Sequence, residues 1–578
     1  MPDHPFPTRA LHKGPRNLRT NSILLIVFVA ALAVRIWGIN WALPAVIHHD
    51  ERNVGLAVLK ALLAGSLAPQ FYYYPALAVL SHYMAAIAAF LVGRSSGLLG
   101  TLADLRLQDY LPFARLLSAI AGALTILVVA KTAGSIRAGA GLPAATIGAF
   151  AFLGVLHSHY ATPDTALALF IQLSLLFSFM SLSRKLPRLS LWAAFFAAIA
   201  ASFKYTGALA VIPAVLAAGV AGPAPRRAGR IAVAAVVALL AFAALNIGAI
   251  MDFRVFIDHI RAEAQHYFVT GNLGVANLVT ENPRGVMFHI RAMVGDVGYV
   301  AACLAFFGLI VCALSPPGRS YLLVLCAFAL PHLVLFASAR AGFSRNVLPL
   351  TPAVVVLAGV GVARLADGWR AESIRAKVVV LATALAVVLP ARATLLNDYL
   401  MTRPCTLTRV QDWFIRSGEH AAGDGYRVAS LHSLWAPRTV GGRDLSIGEI
   451  FLQRARAEQS MPDPAWFIEQ GVVFFTVENW GVSRYCSFEW PASMLRLIRR
   501  HCALVDTVDG WPPQADWFPD YAFAAPRVGP TTYYGPTTEI YMLQPDLLRA
   551  GARPSGAAPG SRGQAPDRPR NRMPSSGF

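Results

Sequence analysis

The chain has 578 residues, of which 56% are hydrophobic and only 14% charged, and its mean hydropathy is +0.51. A soluble globule seldom exposes so few charges, which points to a polytopic membrane protein. The formal net charge of +19 does not mark a nucleic-acid partner. Many of the lysines and arginines fall in short tethers between apolar runs, the positive-inside pattern.

Residues 1–20 are polar and basic, with Arg9, Lys13, Arg16 and Arg19, and are expected to be cytoplasmic. An apolar run from Ile23 to Ala42 follows, interrupted by Arg35. A basic flank before an apolar run also fits a cleaved signal peptide. Further apolar runs down the chain favour an uncleaved first span, which carries Asp50 and Glu51 to the far side. From Glu51 to Ala64, Val54, Ala57, Val58, Ala61 and Leu62 recur at helical spacing, with Gly65 placed to end the helix. That helix is too short to span and reads as lying along the membrane surface. The aromatic cluster Phe71, Tyr72, Tyr73, Tyr74 comes next and ends on Pro75. Residues 75–92 are long enough to cross. Parity sets them in the interface, because a crossing there turns every later basic loop outward.

Further spans are expected over 115–130, 142–156, 165–180, 191–201, 207–220, 231–250, 293–314, 321–337, 347–362 and 378–395. With the first, that makes about eleven, each of roughly 20 residues or somewhat less. The acid-bearing loops at 48–51, 157–164 and 252–290 all fall on one face. Residues 21–395 thus read as a transmembrane domain and 396–548 as a separate extracytoplasmic domain of mixed α/β character. Strand-like pieces there are Val472–Val477 and Thr538–Leu543, a helical piece is Met494–Arg500, and Asp509-Gly510 and Gly529-Pro530 mark turns. Residues 549–578, rich in Pro, Gly, Ser and Arg, read as a disordered tail.

None of the six cysteines forms a CxxC or a zinc-type spacing. Cys303, Cys312 and Cys326 lie in apolar runs as small core residues. In an oxidising compartment Cys486–Cys502 is one disulfide pairing, with Cys405 as competitor.

Acids beside a membrane are costly, so Asp50 is the first candidate for chemistry. It can take a proton from an attacking hydroxyl or help to hold a divalent ion; as a purely structural residue it would cap the helix beginning at Glu51. Glu51 lies about 100° round a helix from it and is a supporting candidate. His48 and His49 have no second ligand pair at metal spacing. Asp164, after Pro163, opens the next span, and capping is again the structural reading. A metal, if one is used, would sit between Asp50 and Asp164. Lys204 and Arg345, the latter with Arg340 nearby, are cations on the face where cations are otherwise rare. They suit an anionic lipid headgroup, as do Arg254, Arg261, His266 and Tyr267 in the 252–290 loop.

Seven segments then carry a resemblance: HHDERN, FYYYPAL, RLLSAIAGALTILVVAKTAG, HSHYATPDTALALF, SFKYTGALAVIPA, the DFRVF and HYFVTGN loop, and RNVLPLTPAVVVLAG. In this order the chain resembles the GT-C class of polyprenyl-phosphate-sugar-dependent glycosyltransferases, in its protein O-mannosyltransferase and lipid A aminoarabinose transferase branch. The C-terminal region, with TRVQDWFIRSG and EIYML, is similar to the periplasmic domain of bacterial members. The resemblance implies a bacterial inner-membrane enzyme that moves a sugar from a polyprenyl phosphate to a protein or glycolipid hydroxyl. It implies single displacement with inversion, Asp50 and Asp164 as the two loop acids, and Lys204, His266 and Arg345 facing the lipid phosphate. One departure stands out: Tyr73-Tyr74-Pro75 replaces the Lys-Pro-Pro common in the aminoarabinose branch. A lipid or solute transporter is the competing class, for which two-fold internal symmetry is expected, and no internal repeat is seen.

Overall fold

The computed structural model describes residues 15–66, 69–270, 285–418 and, further on, 427–430, 439–440, 443–444, 467, 471–478, 495–496, 498–510 and 537–544. Most of these residues are helical, and the helices pack into one bundle. Its N-terminal half runs α1 (Pro15–Ile36), α2 (His49–Leu63), α3 (Ala76–Ser95), α4 (Leu107–Ile136), α5 (Gly141–Ala149), α6 (Phe152–Leu156), α7 (Asp164–Arg184) and α8 (Leu189–Phe203). Then come α9 (Val211–Val220), α10 (Arg227–Leu245), α11 (Ile247–Met251) and α12 (Phe253–Gln265). The second half holds α13 (Val286–Val297), α14 (Tyr299–Leu314), α15 (Pro316–Ser338), α16 (Thr351–Ala366), α17 (Glu372–Met401) and α18 (Thr406–Trp413).

Among the described residues six helices are long and apolar enough to cross a membrane, or eight if each of two bent pairs is one span. The pairs are α5 with α6, bent by 62°, and α13 with α14, bent by 111° at Gly298. Shorter apolar helices occupy the expected spans at the N-terminus and near 191–201, 207–220 and 347–362. By length and composition α3 also qualifies as a span. Ala85, Ala86 and Ala89 of α3 lie against Tyr110, Leu111 and Ala114 in the first turns of α4. His82 bonds the Ala161 carbonyl at 3.0 Å. By length and composition α3 thus stands as a candidate span, against the interfacial placement expected from parity.

The bends explain the charge inside the first span. A broken helix strands backbone N–H and C=O groups, which the apolar interior cannot satisfy. Arg35 Nη1 donates to the carbonyls of Ala31 (2.9 Å) and of Ala149, where α5 stops (3.1 Å). Asp296 Oδ1 accepts from the Leu153 N–H at 2.7 Å, and its Oδ2 from the Thr351 hydroxyl at 2.6 Å. Room for Arg35 comes from Gly122, where a methyl group would stand 2.9 Å from Nε. In the same way Gly308 and Gly361 let α14 and α16 approach until each meets the other helix's backbone carbonyl.

α2 ends as expected. Gly65, at φ +68°, donates to Leu62, and Ser66 donates to Ala61, the pair of bonds that closes a helix through a left-handed glycine. α17 continues to Met401, so the boundary expected at 395 falls inside it. Beyond it, strands β1 (Arg427–Ser430), β2 (Thr439–Val440), β3 (Arg443–Asp444), β4 (Val472–Glu478), β5 (Cys502–Val508) and β6 (Thr538–Leu543) are described. Four of them form one sheet in the order β1-β4-β6-β5, with β1 parallel to β4 and the other pairs antiparallel. Val410 of α18 and Phe414 just after it lie on Val428, Phe474 and Ile540 of this sheet. Both strand-like pieces read from the sequence are strands. Cys486 and the tail at 549–578 lie outside the described residues.

Candidate active site

The two acids singled out in the sequence are in helices, not ahead of them. α2 begins at His49 with His48 in the N-cap position, and α7 begins at Asp164 after Pro163; neither end has a side-chain cap bond. Asp50 and Asp164 therefore do not cap, which corrects the structural reading of both. They sit in the first turns, where the positive end of a helix favours a carboxylate, and both side chains turn to cations. Asp50 Oδ2 accepts from Arg345 Nη1 at 2.5 Å, across 295 residues of sequence. Asp164 Oδ1 accepts from Lys204 Nζ at 2.9 Å. Arg345 also lies within electrostatic reach of Asp164, and Tyr74 within reach of both acids. The two ion pairs make one cluster.

The pairs are not sealed. Asp50 keeps 17% of its side chain exposed and Lys204 14%. Burial works against ionisation of Asp50, but Arg345, His48 and His49 together outweigh burial and hold the carboxyl well below the usual carboxylate range. Arg345 is itself fixed in the turn Ser344–Val347, its guanidinium 4.6 Å from the centre of the Phe343 ring.

Glu51, expected to act with Asp50, is committed elsewhere. Its side chain is fully buried and takes two bonds from Arg115, both at 2.8 Å, and a third from the Ala161 N–H at 2.6 Å. Arg115 spends its remaining nitrogen on the carbonyls of Ile39 and Trp41 and lies 4.9 Å from the centre of the Trp41 ring. Burial opposes the charge on Glu51, and Arg115, His48 and the Ala161 N–H together more than offset it, so the carboxyl is held below its ordinary range. This buried pair ties the 39–41 turn, α2, α4 and the 161 loop together. It sets where Asp50 stands, and leaves every Glu51 oxygen bonded inside the fold.

The aromatic segment is clamped from the other side. Tyr72 donates its hydroxyl to Asp252 at 2.6 Å, and its N–H to His259 Nδ1 at 3.1 Å. Tyr205 donates to the Tyr72 carbonyl at 2.8 Å, and the His259 ring stacks on Tyr73 at 4.3 Å. Ala76 N–H donates to Asn246, which in turn donates to Ser202. These bonds turn Tyr74 toward the ion pairs. Phe256, His259 and Glu263 occupy one face of α12, at i, i+3 and i+7, with Phe256 and His259 against Tyr72, Tyr73 and Tyr205. Glu263 and Tyr267 join the cluster from this side, and sequence reasoning did not single out Glu263. The signal was present in the helical spacing of 256, 259 and 263, but only the packing says which face turns inward.

Of the remaining candidates, Arg261 is 200° round α12 from Glu263. It is 77% exposed and paired with Asp258, so it stands apart from Lys204 and Arg345. His266 packs on the Tyr267 ring at 5.6 Å. Arg340 donates to the Val269 carbonyl, and its backbone N–H to the Tyr267 carbonyl, which secures the 267–269 stretch beside the site. Among the described residues no three His, Cys, Asp or Glu side chains gather as metal ligands. Asp50 and Asp164, the two metal candidates, each accept from a cation, Arg345 and Lys204.

Residues 109–247 match the family model described as dolichyl-phosphate-mannose-protein mannosyltransferase. That stretch contains Arg115, Asp164 and Lys204. No curated protein matches the chain. Among solved structures, an oligosaccharyltransferase of Archaeoglobus fulgidus tethered to an acceptor peptide aligns at TM-score 0.50 and 12% identity. The alignment covers 85% of this chain and 72% of that one. ArnT from Cupriavidus metallidurans, bound to undecaprenyl phosphate, aligns at TM-score 0.45 and 15% identity, over 89% and 97%. In one family-model segment and in its fold, the chain resembles the GT-C class of polyprenyl-phosphate-sugar-dependent glycosyltransferases.

Proposed function

We propose that this protein is a multi-pass membrane glycosyltransferase that moves a sugar from a polyprenyl phosphate to a hydroxyl group of a protein or glycolipid. One observation carries the reading: two partly open acid–cation pairs, Asp50–Arg345 and Asp164–Lys204, meet in one cluster beside Tyr74. A phosphate-linked donor needs cations for its phosphate and a carboxylate for the acceptor, and this cluster offers both.

In the reaction the acceptor oxygen attacks the anomeric carbon while its proton passes to Asp50. The bond from that carbon to the phosphate oxygen breaks, and the lipid phosphate leaves with the electron pair. One displacement inverts the anomeric centre. Arg345 and Lys204 stabilise the departing phosphate, a contribution of several kcal/mol (about 3) when donors are fixed in advance. As the phosphate draws on Arg345, the grip on Asp50 relaxes and its proton affinity rises toward that of a working base. Asp164 orients Lys204, and Glu51 positions Asp50. The family-model match supports this reading, as does the positive-inside charge pattern for a cytoplasmic N-terminus, a bacterial inner membrane and a site opening to the periplasm. The C-terminal α/β region would then face the acceptor.

The experiment is transfer by the purified chain, in liposomes, from a panel of polyprenyl-phosphate sugars to peptide and glycolipid acceptors. Transfer lost in both Asp50→Asn and Asp164→Asn, with folding retained, is the expected result. Wild-type turnover in both variants refutes the assignment.

A further inference from the structure

The charges in the cluster do not balance for the substrate class proposed above. Asp50 with Arg345 and Asp164 with Lys204 make two neutral pairs. Glu263 brings a third carboxylate within electrostatic range of Lys204, Asp50 and Arg345. With Glu263 ionised three carboxylates outnumber the two permanent cations, Lys204 and Arg345, leaving only His48, His49 and His157 as further cation candidates among the described residues, and the site must receive a phosphodiester that is itself an anion. No rearrangement of the two cations alone removes that repulsion.

We propose that Glu263 is the charge-adjusting residue of the site, taking up one proton as a phosphate-linked donor enters and giving it back when the site empties. This rests on the glycosyltransferase reading and deepens it, since it concerns how the same cluster accepts its anionic donor.

Geometry fixes the residue in this role. The clamp between α12 and the aromatic segment, through His259 with Tyr72 and Tyr73 and through Phe256 with Tyr205, sets the rotation of the helix. Glu263 follows on the same face, half-buried, while Arg254, Asp258 and Arg261 turn outward. The groups within electrostatic range of Glu263 are Asp50 on α2, Lys204 after α8, Arg345 before α16, the Tyr73 and Tyr205 hydroxyls, and Tyr267. Burial pushes the Glu263 carboxyl above its ordinary range; Lys204 opposes this, Asp50 adds to it, and Arg345 opposes it. An entering phosphate that engages Lys204 and Arg345 cancels both opposing charges. Proton uptake at Glu263 and donor binding therefore strengthen each other by the same factor.

The sign follows directly. Below the Glu263 pKa the carboxyl is neutral and the donor binds at full strength. Above it the ionised form repels the phosphate and affinity falls as pH rises.

The probe is methyl farnesyl phosphate, a diester whose own charge is constant between about pH 5 and 9, as expected for a phosphodiester with no second ionisation. Its dissociation constant is measured by calorimetry on detergent-solubilised full-length protein across that range. Wild-type affinity should fall with pH, whereas Glu263→Gln should lose the dependence and bind about tenfold more tightly than wild type at pH 8.5, the effect of one nearby like charge removed. Glu263→Asp should keep the slope. Independently of any variant, wild-type heats in two buffers of different ionisation enthalpy should report net proton uptake on binding. Binding with the same slope in wild type and Glu263→Gln, or with no proton uptake near the wild-type midpoint, overturns the Glu263 assignment alone. Failure of the wild type to bind the diester at any pH overturns the glycosyltransferase reading with it.

Discussion

Replacing Asp50 with Asn separates the chemistry of the site from its architecture. The side chain keeps its size and loses its charge, so Arg345 loses the carboxylate 2.5 Å away. Breaking a fully buried pair costs about 3–5 kcal/mol. Here Asp50 is 17% exposed and Arg345 retains the Phe343 ring, so the cost should be about 1–2 kcal/mol, between the buried and surface limits. The variant should therefore fold, with a slightly lowered melting temperature in detergent. Turnover should fall by about a thousandfold, within the usual contribution of a general base. Affinity for methyl farnesyl phosphate should hold or rise, because Arg345 no longer shares its charge with an acid. The three readouts are thermal unfolding, single-turnover transfer and calorimetry. A turnover within about threefold of wild type, or loss of diester binding with the fold intact, would refute the reasoning.

Glu51→Gln removes one half of a sealed ion pair and should cost about 3–5 kcal/mol, seen as a large loss of melting temperature and yield. Glu51→Gln with Arg115→Met should recover part of that loss; equal damage in the single and double variants would count against the clamp. Lys204→Met should raise the Kd for the diester about tenfold and Lys204→Arg much less, since the position needs a charge near a phosphate; the calorimetry described above reads this. Arg261→Ala should change transfer less than twofold, because the residue is solvent-facing and surface pairs contribute about 1 kcal/mol or less. With its pKa depressed, Asp50 gives its pair stability above the ordinary carboxylate range, and that stability is lost as pH falls toward its folded pKa. Arg345→Gln should therefore raise the Asp50 pKa and move the acid limb of the kcat/KM profile to higher pH.

Much of the architecture was legible in the sequence because it rests on local rules. Apolar runs give helices, Gly65 gives the left-handed stop, and β-branched runs give β4 and β6. Asp50, Asp164, Lys204 and Arg345 could be chosen because acids, and cations off the basic face, are out of place beside a membrane. The residues whose surroundings the sequence could not give are those whose meaning lies in a direction. Glu51 and Asp50 are neighbours about 100° apart on one helix, and spacing cannot say which of them faces Arg115 and which Arg345. Arg261 and Glu263 stand in the same relation on α12. Arg35, which only interrupted the first run, satisfies a carbonyl left open by a helix break more than a hundred residues away.

The sequence by itself determined that the chain is a helical membrane protein with acids and cations set together on one face, since hydropathy and charge order follow from composition along the chain. Only the tertiary structure decided which acid meets which cation and which carboxylate is sealed. It also turned Glu263 toward the site. Pairing over 295 residues is a property of packing, and rotation of a helix about its axis is fixed by what it packs against.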